Sequence, residues 1–317
     1  MAPFVLGGAI LYWMYCGFDF SSIKSWLTNM NWTWMLLSMP FGIFAQVFRG
    51  IRWRQLLNPI GEKPRISTSI HAVFLSYASS LVIPRIGEVM RCGILNKYDN
   101  VSFPKALGTV VTERIIDSIL VLIIMGITLL LQMPVFFKFF AETGTDISHI
   151  FSKFTVAGYW ATAICGIAAL VFIGIIIRKL SFFSKVKSIF KNMVEGIFSL
   201  RKVANLPLFI FYSLAIWICY FLHFYLTFFC YPFTSHLSIM AALVVFVVGS
   251  IAVIVPTPNG AGPWHFAVKT MLVFYGVAGT NGAMFALVVH TLQTALVALL
   301  GLFSAIMLPL SNPKKTN

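Results

Sequence analysis

"LVIPRIGEVMRCGIL", residues 81–95, sets two arginines and a glutamate directly after a proline, at the end of an apolar run that begins near residue 66. Basic Lys97 follows closely. As a helix, residues 84–97 cover about 21 Å, short of the roughly 30 Å of hydrocarbon in a bilayer. Residues 66–97 therefore read as a hairpin that enters and leaves on one side, with its turn at Pro84 and Gly87 just beyond.

The surrounding composition makes the solvent of this hairpin lipid. The chain is 59% hydrophobic and 10% charged, with a mean hydropathy of +0.89, which is far from the soluble range. Apolar stretches recur at 4–17, 32–48, 66–83, 106–131, 154–177, 206–229, 237–255 and 283–308. No length is left for a soluble domain, so 1–317 reads as a single transmembrane domain. The first stretch lacks a basic leader and a small-residue cleavage site, and it reads as a retained helix. The five scattered cysteines read as buried thiols without a redox or metal pattern.

The net charge of +14 does not indicate nucleic acid, because the basic residues fall in short loops. Lysine and arginine concentrate at Arg49–Arg65, Lys97, Lys105, Arg178–Lys202, Lys314 and Lys315, which the positive-inside tendency assigns to the cytoplasm. Lys24, Lys138 and Lys153 mark the external loops. Threading the chain to satisfy this puts both termini in the cytoplasm and requires a second hairpin, 237–278, entering from outside. Its turn lies in "VPTPNGAGPWHF", residues 255–266, where Pro256, Pro258, Gly260 and Gly262 interrupt the helix. The expectation is an all-α polytopic membrane protein of about six full spans plus two re-entrant hairpins. Halves 1–133 and 154–310 would then be inverted, each holding two spans, a hairpin and a span, although they share no evident residue-level similarity. Such interrupted segments at matching places point to a site near the bilayer middle. The same turns also fit ordinary loops at the membrane surfaces.

Charges within the apolar runs are the chemical signal. Arg85, Glu88 and Arg91 follow one another at spacings of three. In "TERIIDS", residues 112–118, Glu113 and Asp117 are four apart and share a face, with Arg114 beside them. An isolated charge at the bilayer centre costs about 2.5–3.5 kcal/mol by insertion scales, so these groups should pair. One reading is an ion-pair network that only fixes the hairpin. The other has Arg85, Arg91 and Arg114 shared with a ligand phosphate, which a guanidinium fork fits, and the carboxylates holding them in place. His265 and Lys269 offer a polar pair on the second hairpin. His71 and His223 read as packing residues, as histidines in apolar spans generally do.

"RGIRWRQLL" (49–57), "IPRIGEVMRCGIL" (83–95), "TERIIDS" (112–118) and "VPTPNGAGPWHF" (255–266) together resemble the transmembrane region of lysylphosphatidylglycerol synthases and the wider family of flippase-like integral membrane proteins. The resemblance implies movement of aminoacylated phospholipid between leaflets, or a role with polyprenyl-phosphate or glycolipid. It carries Arg85, Gly87, Glu88, Arg91, Glu113, Arg114 and Asp117 over. Many members have a glutamate after the second hairpin's glycines, where this chain has Trp264 and His265. The soluble aminoacyl-transferring domain is not part of the resemblance, so synthesis of the lipid is not expected.

The leading expectation is a translocator of the cytoplasmic membrane whose partners are anionic or phosphate-bearing lipids. No protein partner is indicated. No P-loop, H-E-x-x-H or G-x-S-x-G motif is present, so no cofactor, metal or catalytic residue is assigned. An intramembrane enzyme using Glu88, Glu113 and Asp117, or a non-transporting partner of a lipid or glycan assembly, are the alternatives. The stretch 181–200 alternates as an interfacial amphipathic helix, and Trp26, Trp32 and Trp34 suit an aromatic belt.

Overall fold

The computed structural model describes residues 2–18, 21, 23–133 and 184–312. The expected span 154–177, the external segment 134–153, Cys165, Lys138, Lys153, Lys314 and Lys315 lie outside the described residues. Within them the elements are helical: α1 (Ala2–Tyr15), α2 (Ile23–Thr28), α3 (Trp32–Leu57), α4 (Ile66–Val82), α5 (Ile86–Asp99), α6 (Phe103–Leu131), α7 (Ser184–Ile197), α8 (Leu206–Tyr225), α9 (Pro232–Ser235), α10 (Ile239–Ala252), α11 (Pro263–Phe274) and α12 (Gly279–Ser311). No strand occurs among the described residues.

Among the described residues, four helical segments are long and apolar enough to cross a membrane: Trp32–Ile60, Phe103–Leu131, Leu206–Cys230 and Gly279–Ser311. The first expected span is the shorter α1, whose 14 residues cover about 21 Å and stop before Gly17 at φ +80°. The outward faces are apolar. Leu36, Ile115, Ile119, Leu122, Leu130, Leu302 and Phe303 are all exposed, which water would penalise and hydrocarbon does not.

Both hairpins are present as helix pairs with turns where the prolines stand. The first joins α4 to α5 through Ile83, Pro84 and Arg85, and the two helices pack along each other. They approach so closely at Gly87 that a Cβ there would overlap the Ser76 carbonyl and the Ser80 hydroxyl. The second joins α10 to α11. Pro258–Gly260 form a single 3-10 turn, and Pro263 opens α11, where its missing N–H is not needed. Gly262, at φ +92°, sits where any side chain would press on α1 at Gly7 and Ile10.

The hairpins are wedged into the long helices. α8 lies against α3, α12 against α4, and α3 against α4, while α11 fills the gap between α10 and α12. Phe224, Phe228, Val245, Leu272 and Phe285 form the apolar centre of one side. Trp53, Leu57, Val73, Leu95 and Val110 form that of the other. Small residues let backbones meet, as where Gly301 faces Ala78. Within the stretch 181–200, expected as an interfacial helix, Ser184–Ile197 form α7. It packs on α6 through Gly196 against Gly108, and Thr112 Oγ1 donates to the Ile197 carbonyl at 2.7 Å.

Candidate functional site

The core face of α3 runs through Gly42, Ala45, Gln46, Arg49, Arg52, Trp53 and Leu56, all buried. This is the three-and-four spacing of a packed helix. Two arginines therefore enter the interior on the same stripe as the apolar residues. Opposite them, the four-residue spacing on α6 presents Glu113 and Asp117, also buried.

These groups close into a chain of ion pairs. Arg52 Nη2 reaches Glu113 Oε1 at 3.1 Å and Asp117 Oδ1 at 2.8 Å. Arg49 Nη1 meets Asp117 Oδ2 at 2.5 Å. Arg91, on α5, pairs with Glu113 Oε2 at 2.6 Å and lies 4.6 Å from the Trp53 ring centroid, held as a cation over an aromatic face. Arg52 also donates to Ser213 Oγ on α8 at 3.2 Å. The network thus ties α3, α5, α6 and α8 together, and within it three arginines share two carboxylates.

The network has an open end. A cavity of about 580 Å³ lies between the two hairpin turns and α6. Its lining includes Ser76, Tyr77, Pro84, Arg85 and Glu88 of the first hairpin, Arg114 and Ser118 of α6, and Pro256, Thr257, Asn259 and Gly260 of the second turn. Arg114 pairs with Glu88 at 3.3 Å and lies 3.9 Å from Asp117, joining the cavity wall to the buried chain. Arg49 stacks between Tyr77 and Tyr220, about 5.9 and 5.8 Å from their ring centroids, and Tyr220 donates to Tyr77 at 3.0 Å.

Arg85 stands apart. It holds φ +65° at the start of α5, a left-handed conformation uncommon outside glycine, and its Nη2 donates to the Ile254 carbonyl across the cavity at 3.3 Å. Among the described residues it has no carboxylate partner.

Of the residues singled out from sequence, the fold brings Pro84, Arg85, Glu88, Arg114, Pro256, Pro258 and Gly260 to or beside one cavity. Gly87 packs behind it. Glu113 and Asp117 lie in the buried chain of ion pairs, Gly262 caps the start of α11, and three more are placed elsewhere. Arg91 is 2% exposed and does not line the cavity, because its guanidinium is turned inward to Glu113. His265 is buried in the turn it closes, its Nδ1 accepting from the Gly262 N–H at 3.3 Å and its ring 4.4 Å from that of His290. Lys269, one turn further along α11, is half-buried and also outside the lining. Two arginines were misplaced by sequence. Arg49 and Arg52 were assigned to a cytoplasmic loop, but α3 continues past them and buries both. The signal was the three-residue spacing of the two on the apolar stripe, which a charge count passes over. Tyr77, Tyr220 and Thr257 gave no sequence signal.

An 82-residue stretch, 26% of this chain, is 28% identical to Glycosyltransferase AglD of Haloferax volcanii. It spans only 13% of that protein's length. No solved structure matches. The family described as the lysylphosphatidylglycerol synthase TM region matches residues 1–301, and the chain belongs to that family.

Proposed function

We propose that the protein is a lipid translocator of the cytoplasmic membrane, without chemistry of its own, in which the headgroup enters the cavity between the hairpins while the hydrocarbon stays in the bilayer. The observation that carries this reading is the cavity itself, an arginine-lined opening between two broken hairpins in a body whose outward faces are apolar. Backbone freed from helix can stand at membrane depth only where it is buried or faces a wet cavity. Arg85 and Arg114 offer a phosphate their guanidinium forks, Arg85 without a competing carboxylate. Membership of the family favours a lipid substrate.

The two halves act as inverted repeats, with both termini and the loop residues Lys63, Arg65, Lys97 and Lys105 on the cytoplasmic side. Single cysteines replacing Lys63 and Lys24 then react with an impermeant reagent only from the inside and only from the outside, respectively. Reaction of both from one side overturns the orientation.

Transport is tested in liposomes holding purified protein and a fluorescent anionic phospholipid, with dithionite bleaching of the outer leaflet. Wild type exchanges the lipid. Arg85→Ala stays folded, since the side chain is exposed and, among the described residues, not ion-paired, and slows exchange by about tenfold or more, the loss of one charge-assisted contact. Arg85→Lys keeps the charge and loses the fork, and falls between. Unchanged exchange in Arg85→Ala overturns the phosphate site. A chemical change in the recovered lipid would favour the enzyme alternative.

A further inference from the structure

No aspartate or glutamate occurs after Glu195. The titratable groups that the second hairpin gathers are of another kind, and two of them meet: His265 of α11 and His290 of α12, with ring centroids 4.4 Å apart. Their partners fix the protons. The Asn259 carbonyl can only accept, so His290 Nε2, at 3.1 Å, carries the hydrogen, and Nδ1 faces the Thr294 hydroxyl at 3.4 Å. His265 Nδ1 accepts from the Gly262 N–H at 3.3 Å and is bare. The two bare nitrogens differ. A proton on His265 Nδ1 would oppose the Gly262 N–H and undo the cap of α11, and Lys269 stands one turn along the same helix face. A proton on His290 Nδ1 needs only that the Thr294 hydroxyl turn from donor to acceptor, and a hydroxyl does either. The Trp264 ring, 5.0 Å from that of His290, favours a cation there. His290 is also part-exposed, whereas His265 is 3% exposed. The pair takes one proton, since two like charges so close repel.

We infer that His290 is a proton-binding site coupled to the cavity, so that an anionic headgroup and one proton are bound together. This rests on the proposed reading of the cavity as a headgroup site, and it names the coupling ion. The connection is Asn259. It lines the cavity, its carbonyl takes the His290 Nε2–H, and its Nδ2 donates to Thr294 Oγ1 at 2.7 Å. When the anion enters, one N–H bond forms at Nδ1 with a proton drawn from water, and that proton returns to water when the anion leaves. The charge on His290 adds to those of Arg85 and Arg114, and the cavity holds the anion more tightly. Among the described residues, the other titratable or charged groups on the elements packed around the pair and its turn are Tyr12 and Tyr15 of α1, His71 and Tyr77 of α4, Lys269 of α11, and Arg85 across the tips. Tyr15 donates to the Ala283 carbonyl and His71 bonds Ser304. On α8, His223 Nδ1 donates to the Ser38 carbonyl, and Arg49 and Arg52 of α3 are held by Glu113 and Asp117. α10 carries none.

The test titrates phosphatidylglycerol into the protein in detergent micelles at about pH 8 and about pH 5, limits between which histidine changes charge and the phosphodiester does not, with thermal stabilisation as the readout. Wild type binds about tenfold more tightly at the lower pH, the order expected of one added unit charge beside the site. His290→Gln keeps a donor for the Asn259 carbonyl and takes no proton, so it binds at both values as wild type does at the higher. His71→Gln keeps the full difference. Should His290→Gln not fold, Thr294→Val serves in its place: it removes the acceptor for the new N–H and shrinks the difference. Equal binding by wild type at both pH values, or a tenfold difference that persists in His290→Gln, overturns the proton site and leaves the lipid reading standing. Sulfate, whose charge is constant over this range, is the third arm. If sulfate shows the His290-dependent difference while the lipid binds at neither pH, the proton site is supported and the lipid reading falls. If folded wild type responds to neither anion, both fall.

Discussion

Glu113→Gln is expected to lower stability by about 3–5 kcal/mol, the cost of leaving a buried charge without its partner, and to do more harm than losing an arginine from the same cluster. The reason is the imbalance described above. Arg91 has Glu113 as its only carboxylate among the described residues, while Arg52 keeps Asp117. Glutamine preserves the shape and one acceptor, so what is removed is chiefly charge, and three buried cations are left with one anion. Asp117→Asn should behave the same way, because it strands Arg49. Arg52→Gln, in contrast, leaves Glu113 with Arg91 and Asp117 with Arg49, and should cost about 1–3 kcal/mol for the hydrogen bonds lost. Thermal denaturation of the purified variants in one detergent, with monodispersity as the check on folding, ranks them. If Arg52→Gln proves worse than Glu113→Gln, the excess of cations is not what governs the cluster.

The second large effect belongs to Gly87. Replacing it by alanine drives a Cβ into the Ser76 carbonyl, which is backbone and cannot turn aside. The two arms of the first hairpin must then separate, at about 3 kcal/mol by the upper range for overpacked cores. Gly93→Ala on the same helix is the matched control. A Cβ there meets nothing within 4 Å, so the substitution should stabilise α5 by up to about 1 kcal/mol through helix propensity alone. Separate melting of the two variants tests this. Similar values for both would mean that the close approach at Ser76 yields easily. Because Arg85 precedes Gly87 by two residues, Gly87→Ala should also reduce transport in whatever fraction folds.

Much of the fold could be read from residue type, because lipid imposes so few solutions. Apolar length gave the long helices, and Pro84 and Pro256–Pro263 gave both turns, since proline removes a donor and disfavours helix, although α3 runs through Pro40 and α12 through Pro309. The site was legible where charge itself was out of place, at Arg85, Glu88, Glu113, Arg114 and Asp117. It failed at Arg49 and Arg52. Arginine beyond the end of an apolar run is ambiguous between a loop and a buried helix face, and only the partners on α6 decide which. It failed again at Tyr77 and Thr257. Tyr77 on its apolar helix and Thr257 in the second turn carry no periodic or charge signal, and both come beside the cavity only because the two hairpins meet.

The bridge from Arg85 to the Ile254 carbonyl has a thermodynamic consequence. It joins the tip of one hairpin to the tip of the other, through the same side chain that would meet an incoming anion. An anion that draws Nη2 away from the carbonyl weakens the joint. By reciprocity of linked equilibria, any force that parts the tips raises affinity for the anion by the same factor. Occupancy of the cavity by an anion and opening of the tips would then be one equilibrium viewed from two sides.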